Sequence, residues 1–383
     1  MSDNGDRVVI AGYVRSPFHF AHKGELKTLR PDELAGQVVR ALVERTGVDP
    51  ATIEDVHLGC AFPEGEQGMN VGRIAGVLAG LPRSVAGATV NRFCGSAMQA
   101  IHTAAGSIAM GAGDAYIAGG VESMSRVPMV GFNFLPHPGL AESYPAIYIS
   151  MGETAENVAT RWDVSRERQE AFAVASQAKA AAARADGRLA AEIVPVTVGS
   201  RTVEQDGCIR EGTTAEGLAG LKPAFRSDGT VTAGTSSPLT DGATAVLVTS
   251  EAYARRHGLT PLAIIRGFAV SGCDPEVMGV GPVSSTRKLL ERAGLTIDQI
   301  DLIELNEAFA SQSVAVIEEL GIDPARVNVD GGAIALGHPL GATGARITGK
   351  AAQLLQRDGG RFAVSTQCIG GGQGISTLLE AVA

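Results

Sequence analysis

Residues 42–48 read LVERTGV, and residues 289–295 read LLERAGL. Each heptapeptide closes an amphipathic helical pattern on a glycine, Gly47 or Gly294, the residue that most easily adopts the left-handed turn ending a helix. A few residues on, IEDVHL at 53–58 is matched by IDQIDL at 297–302, each leading into a strand. Further along, Thr89-Val90-Asn91 and Arg326-Val327-Asn328 each end a short β-branched run before a Gly-rich turn and a helix. A second apolar run follows each, AYIAGG at 115–120 and RFAVSTQC at 361–368. One heptapeptide would be coincidence, but similar elements in one order, about 240–250 residues apart, indicate two related α/β halves.

Between the halves the texture changes, from about Glu122 to Leu239. This segment opens on a Pro- and Gly-rich stretch, VPMVGFNFLPHPG. It continues with a helical pair near Thr154–Arg161 and Ser165–Ala185, closed by Gly187, with Ser165 as N-cap and Glu167 in the first turn. Turns and short strands follow, through TAGTSSPLTDGA. The segment reads as an insertion that covers or extends a site made by the two halves.

At 383 residues, with 45% hydrophobic and 19% charged side chains, the chain is globular and too long for one ordinary core. The formal net charge of -9 and the lack of a Lys/Arg run exclude a nucleic-acid face. An anionic small ligand held by a few Arg, Lys or backbone N–H groups stays open. Five widely spaced cysteines do not make a stapled secreted domain. The start MSDNGDRVVI lacks an apolar signal core, LLEAVA is not a peroxisomal address, and no apolar run of about 18 residues implies a membrane span. A reducing, cytoplasmic location is expected.

Four segments carry chemistry. In the first, a strand-like ATVN gives way to Arg92-Phe93-Cys94-Gly95-Ser96 and then a helix, so Cys94 stands at or just before a helix N-terminus. There the peptide dipoles lower a thiol's pKa and favour the nucleophilic thiolate; the alternative is a buried cysteine acting as a small apolar residue. In the second, GGAIALGHPLGATGAR at 331–346 puts Pro339 at the first helical position and His338 at the helix start. A neutral imidazole suited to base catalysis is expected there, against a purely structural histidine. In the third, Gln367-Cys368-Ile369-Gly370-Gly371-Gly372-Gln373-Gly374 reads as a hairpin turn whose backbone N–H groups can approach a developing oxyanion. A phosphate loop is excluded there by the lack of a Walker lysine and a following helix, whereas a plain turn stays open. In the fourth, within IELNEAF, Asn306 or Glu307 can orient a water, although the local pattern favours a helix cap for Asn306. The separations among Cys94, His338 and Cys368 lack the short spacings of zinc modules, so no metal is expected.

Together VNRFCGSAMQA, NEAFA, GGAIALGHPLGATGAR and QCIGGGQG resemble the signature regions of the thiolase family, in order and spacing, across essentially the whole chain. The resemblance implies duplicated βαβαβαββ halves in a five-layer αβαβα core with an inserted loop domain. The implied boundaries are 1–121 plus 240–262 for the N-terminal half, 122–239 for the loop domain and 263–383 for the C-terminal half. By position, Cys94 becomes the acyl-accepting nucleophile, His338 its proton acceptor, and Cys368 the acid/base at the α-carbon of acetyl-CoA. Asn306, through a water, would share one oxyanion hole with His338, and the N–H groups of Cys94 and Gly370 would form the other. Met278 and Met151 fall on the site wall and its neighbouring motif; Arg210, Phe225, Ala233 and Ser237 fall on coenzyme A contact positions. A solvated arginine and a core phenylalanine compete for two of these. The implied co-substrate is coenzyme A, with no resident cofactor, and a homodimer or homotetramer is expected, with a hydratase/dehydrogenase partner open.

The chain departs from short-chain biosynthetic thiolases at Ser150, where those carry a histidine before Met151. ESMSRVPM (122–129), TAGTSSPLTDGA (232–243) and GCDP (272–275) instead resemble degradative 3-ketoacyl-CoA thiolases, of fatty-acid β-oxidation or aromatic breakdown through β-ketoadipyl-CoA. The rival readings are synthesis of acetoacetyl-CoA, a non-catalytic thiolase-like lipid carrier, and a decarboxylative condensing enzyme; a second reactive cysteine, Cys368, argues against the last two.

Overall fold

Strands and helices alternate in two matching series. The computed structural model describes residues 7–382. The first series runs β1 (Val8–Arg15), β2 (His19–Phe20), α1 (Pro31–Thr46), β3 (Asp55–Gly59), α2 (Val71–Leu78), β4 (Ala86–Val90), α3 (Ser96–Ala109) and β5 (Ala115–Ser123). A long excursion carries α4 (Pro138–Ser143), α5 (Met151–Arg161), α6 (Arg166–Ala185), β6 (Val196–Val198), β7 (Arg201–Val203) and α7 (Ala215–Ala219). The chain then returns through β8 (Thr240–Ser250) and α8 (Glu251–Arg256). The second series is β9 (Ala263–Gly272), α9 (Gly281–Ala293), β10 (Leu302–Leu305), α10 (Ala310–Leu320), α11 (Ala333–Leu336), α12 (Leu340–Asp358), β11 (Phe362–Ile369) and β12 (Gln373–Glu380). The helices α1 and α9 both end on a left-handed glycine, Gly47 at φ 69° and Gly294 at φ 66°, where the duplicated heptapeptides place them.

The sheet shows the duplication directly. Its order is β10-β11-β12-β9-β1-β8-β5-β3-β4, with β2 added on β8. Outward from the β9–β1 junction, one arm is β1-β8-β5-β3-β4 and the other β9-β12-β11-β10. In each arm the first two pairings are antiparallel and the next is parallel. The counterpart of β4 shrinks to one bridge, Val327 to Ile303. Among the described residues, only Val9–Ile264 and Ile10–Ala263 pair across the junction.

Parallel neighbours cannot be joined by a hairpin and need a crossover, here supplied by α2, α3 and α12. The helices α3 and α12 pack on each other between the arms, and α12 touches β5 and β8 on one side and β10 and β11 on the other. Every residue from Leu340 to Ala352 is buried, as a central helix requires. Gly344 permits the contact: a Cβ there would stand 2.4 Å from the Met98 backbone nitrogen. The helices α1 and α2 cover the outer face of one arm and α9 that of the other, giving five layers. No helix of the described residues is long and apolar enough to cross a membrane.

Candidate active site

Cys94 is presented by a tight turn between β4 and α3. Asn91 Oδ1 accepts the Phe93 N–H at 2.9 Å. The Ser96 hydroxyl accepts the Arg92 N–H at 2.9 Å and donates to the Phe93 carbonyl at 2.6 Å. These bonds hold Phe93 at φ 43°, a left-handed conformation rare for a bulky residue and worth about 1–3 kcal/mol of strain. The Gln367 side-chain amide holds the Cys94 carbonyl from the opposite half. The Gly370 N–H, from the other half, lies close enough to the sulfur to favour its anion.

The dipole reading of this thiol is overturned. Its helix starts at Ser96, and burial dominates: it pushes Cys94 up to about 11, with the Gly370 N–H opposing. A dry sulfur loses more from missing hydration than it gains from the helix end.

His338 lies on the strand-like link between α11 and α12. The sequence puts Pro339 inside the helix, but Pro339 is the cap and α12 begins at Leu340. The His338 N–H donates to Thr240 Oγ1 at 3.0 Å. Its Nδ1 is 2.7 Å from Thr343 Oγ1, and its Nε2 is 3.4 Å from Asn306 Nδ2. Burial, and after it the positive charge of Arg346, pull the imidazole down to about 3, so it is neutral as expected. Two residues on, Leu340 packs in one apolar cluster with Cys94.

Asn306 is not a helix cap. The next helix, α10, starts at Ala310 with Phe309 as N-cap. Asn306 is fully buried, its N–H on the Thr366 carbonyl at 3.0 Å, and its Oδ1 has no protein partner. A buried polar atom without a partner marks a place for water or substrate. Glu307, by contrast, is consumed structurally by Ser176, Asn328 and the Ile334 N–H.

Cys368 is on β11, opposite Gly374, rather than in the glycine turn, which is confined to Gly370–Gly372. It is 1% exposed and packs with Met278, Phe309, Ala308, Ala155 and Met151. Burial, and then the neighbouring Cys94, raise its pKa. Met151 opens α5 and reaches Gly370, where a Cβ would be 3.5 Å from its sulfur. The same wall extends outward: Phe225, 42% exposed, stands edge-on to Phe309 at 5.9 Å, and Ser237 donates twice to the Ala308 carbonyl. Ala233 is exposed in the adjoining Thr232–Thr235 turn. Arg210 is anchored on α6 through its backbone N–H to Gln177, and its half-buried guanidinium leaves Nε without a partner.

Two residues that frame the site escaped the sequence reading. Glu122, at the end of β5, accepts the N–H groups of Ala61 and Gly341 at 2.8 Å each, and of Phe62 at 3.3 Å, pinning the start of α12 to the other half. Thr343 holds the imidazole of His338. A threonine in a first helical turn reads as helix-end chemistry, and the glutamate that opens ESMSRVPM shows nothing locally of the partners it holds in the other half.

The comparisons agree with this architecture. Family models described as "Thiolase, N-terminal domain" and "Thiolase, C-terminal domain" match residues 8–252 and 259–381. A 3-ketoacyl-CoA thiolase of Bacillus subtilis (strain 168) is 49% identical, covering 98% of this chain and 99% of that protein. A 3-oxoadipyl-CoA/3-oxo-5,6-dehydrosuberyl-CoA thiolase of Escherichia coli (strain K12) is 46% identical, covering 96% and 98%. The crystal structure of the Bacillus anthracis acetyl-CoA acetyltransferase superposes with a TM-score of 0.91 at 41% identity, covering 100% of both chains. With its duplicated arms, its central helix pair and both family domains in place, the chain belongs to the thiolase family of acyltransferases.

Proposed function

We propose that the chain cleaves 3-ketoacyl-CoA with coenzyme A through an acyl-enzyme on Cys94. The observation that carries this reading is the meeting of the two halves at Cys94: its carbonyl is held by Gln367, the neighbour of Cys368, and it packs in one cluster with Leu340, two residues from the His338 that faces Asn306.

The Cys94 sulfur attacks the 3-keto carbon as His338 Nε2 takes its proton. The N–H pair of Cys94 and Gly370 and the His338–Asn306 corner, with its water, form the two oxyanion holes. When the bond between C2 and C3 breaks, the electron pair goes to C2, and Cys368 delivers its proton there to release acetyl-CoA. The Cys368 thiolate then takes the proton of an incoming coenzyme A thiol. That sulfur attacks the acyl group, and Cys94 leaves with the proton stored on His338. Met278 and Met151 shape the acyl wall. Arg210 meets a phosphate, while Phe225, Ala233 and Ser237 line the path of the pantetheine.

The degradative direction, within fatty-acid β-oxidation or a related catabolic route, is favoured by the names carried by the relatives of 46–49% identity. We assign residues 1–121 plus 240–262 and 263–383 to the two catalytic halves and 122–239 to the coenzyme A-binding segment, in a cytoplasmic homo-oligomer. Cys94→Ser is expected to lower turnover by about 10³-fold or more and to abolish the acyl adduct seen by mass spectrometry. Cys368→Ser is expected to keep the adduct but lose exchange of the acetyl-CoA α-protons. An acyl adduct surviving on Cys94→Ser refutes the scheme, and a strong kcat/KM preference for acetoacetyl-CoA over longer substrates reverses the direction.

A further inference from the structure

An imidazole can take a proton only at the nitrogen that lacks one, so the base assigned to His338 needs one particular tautomer. Its two contacts agree on which. The Thr343 hydroxyl has one proton, and its Oγ1 lies 3.1 Å from the Pro339 carbonyl, which can only accept. With its proton directed there, Oγ1 offers a lone pair to Nδ1–H at 2.7 Å. On the other side, Asn306 presents its amide nitrogen, a donor only, to Nε2 at 3.4 Å. Thr343 is fully buried, so no solvent competes for either contact.

We propose that Thr343 is a positioning residue that fixes His338 as the Nδ1–H tautomer and leaves the Nε2 lone pair free for the Cys94 proton. The proposal rests on the reading of His338 as proton acceptor. The opposite tautomer would set the Nε2–H against the Asn306 amide N–H, two donors facing each other, and would turn the threonine proton away from Pro339. Once His338 is protonated, both of its nitrogens donate, so Thr343 keeps its acceptor role throughout the cycle and holds the ring still while Nε2 alternates between accepting and donating.

The tautomer is read directly in the wild-type protein by long-range proton–nitrogen correlation of 15N-histidine, the His338 signals being assigned by their loss in His338→Asn. A proton on Nδ1 is the expected result, and a proton on Nε2 overturns the proposal. Thr343→Val keeps the shape and removes the acceptor. It should lower kcat about 10–100-fold, the cost typical of removing a histidine's orienting partner, with little change in KM, while Thr343→Ser restores activity. A merely structural role would lower the melting temperature and leave both kcat and tautomer unmoved, overturning the proposal. If Thr343→Val does not fold, the wild-type tautomer together with the activity of Thr343→Ser decides. His338→Ala separates the two levels: an active His338→Ala removes the underlying reading, whereas an inactive His338→Ala beside a fully active Thr343→Val removes only the role of Thr343.

Discussion

Cys94 and His338 are both uncharged at rest, because burial pushes the thiol up to about 11 and the imidazole down to about 3. The site is therefore not a standing thiolate–imidazolium pair, and in the proposed scheme the proton moves as the sulfur attacks. Without substrate, alkylation of Cys94 by iodoacetamide needs the thiolate, whose population is small at pH 7 and grows with pH. Its rate should climb about tenfold per pH unit between pH 7 and about 10. A rate already flat from pH 6 to 8 would show a pre-ionised thiol. The sequence suggested the opposite sign for Cys94 because it shows the helix start and not the layers of chain that exclude water from it.

At the scale of elements, the turns and helix ends were the legible part. Gly47 and Gly294 close α1 and α9 where the heptapeptides place them, and the glycines 370–372 form the β11–β12 turn. These depend on local backbone preference, which a short window contains. The local cap reading of Asn306 fails because its contacts come from β11 and from His338, both far along the chain. Glu122 shows the same limit: it ends one strand yet holds the first turn of α12, 219 residues away. Glu122→Gln would turn an amide N–H toward backbone donors that now meet a carboxylate. It should cost about 1–3 kcal/mol in urea unfolding and slow acylation of Cys94, since the link carrying His338 loses its tether. Unchanged stability and unchanged acylation would show that the two halves align without it.

Across the whole molecule, burial lowers the pKa of three histidines, His19, His102 and His338, and each adds to the response to acid. His102 stacks on Phe268 at 4.2 Å and bonds Thr377 at 2.7 Å, and burial holds it near 3, like His338. An unfolded histidine takes up a proton near 6.5, which these two refuse until about 3. Their contribution to stability is whole above pH 6.5 and is lost as the pH falls through the window from 6.5 to 3, at up to about 1.4 kcal/mol per pH unit for each. His102→Gln should therefore narrow the stability difference between pH 7 and pH 5, measured by urea unfolding; an identical difference would mean that His102 is protonated in the folded chain. The duplicated fold was readable because repeats survive in sequence, whereas the way the halves meet, through two residue pairs of sheet and a helix pair, was not.

Cys94 stands two residues ahead of α3, and His338 two residues ahead of α12, the equivalent crossover of the other arm. A symmetric ancestor assembled from two identical copies would have carried the same side chain at both corners, sulfur facing sulfur or imidazole facing imidazole. Two different residues can stand at these corners because duplicated copies, unlike identical ones, are free to diverge. The proposed pairing of sulfur with imidazole is therefore a product of broken symmetry.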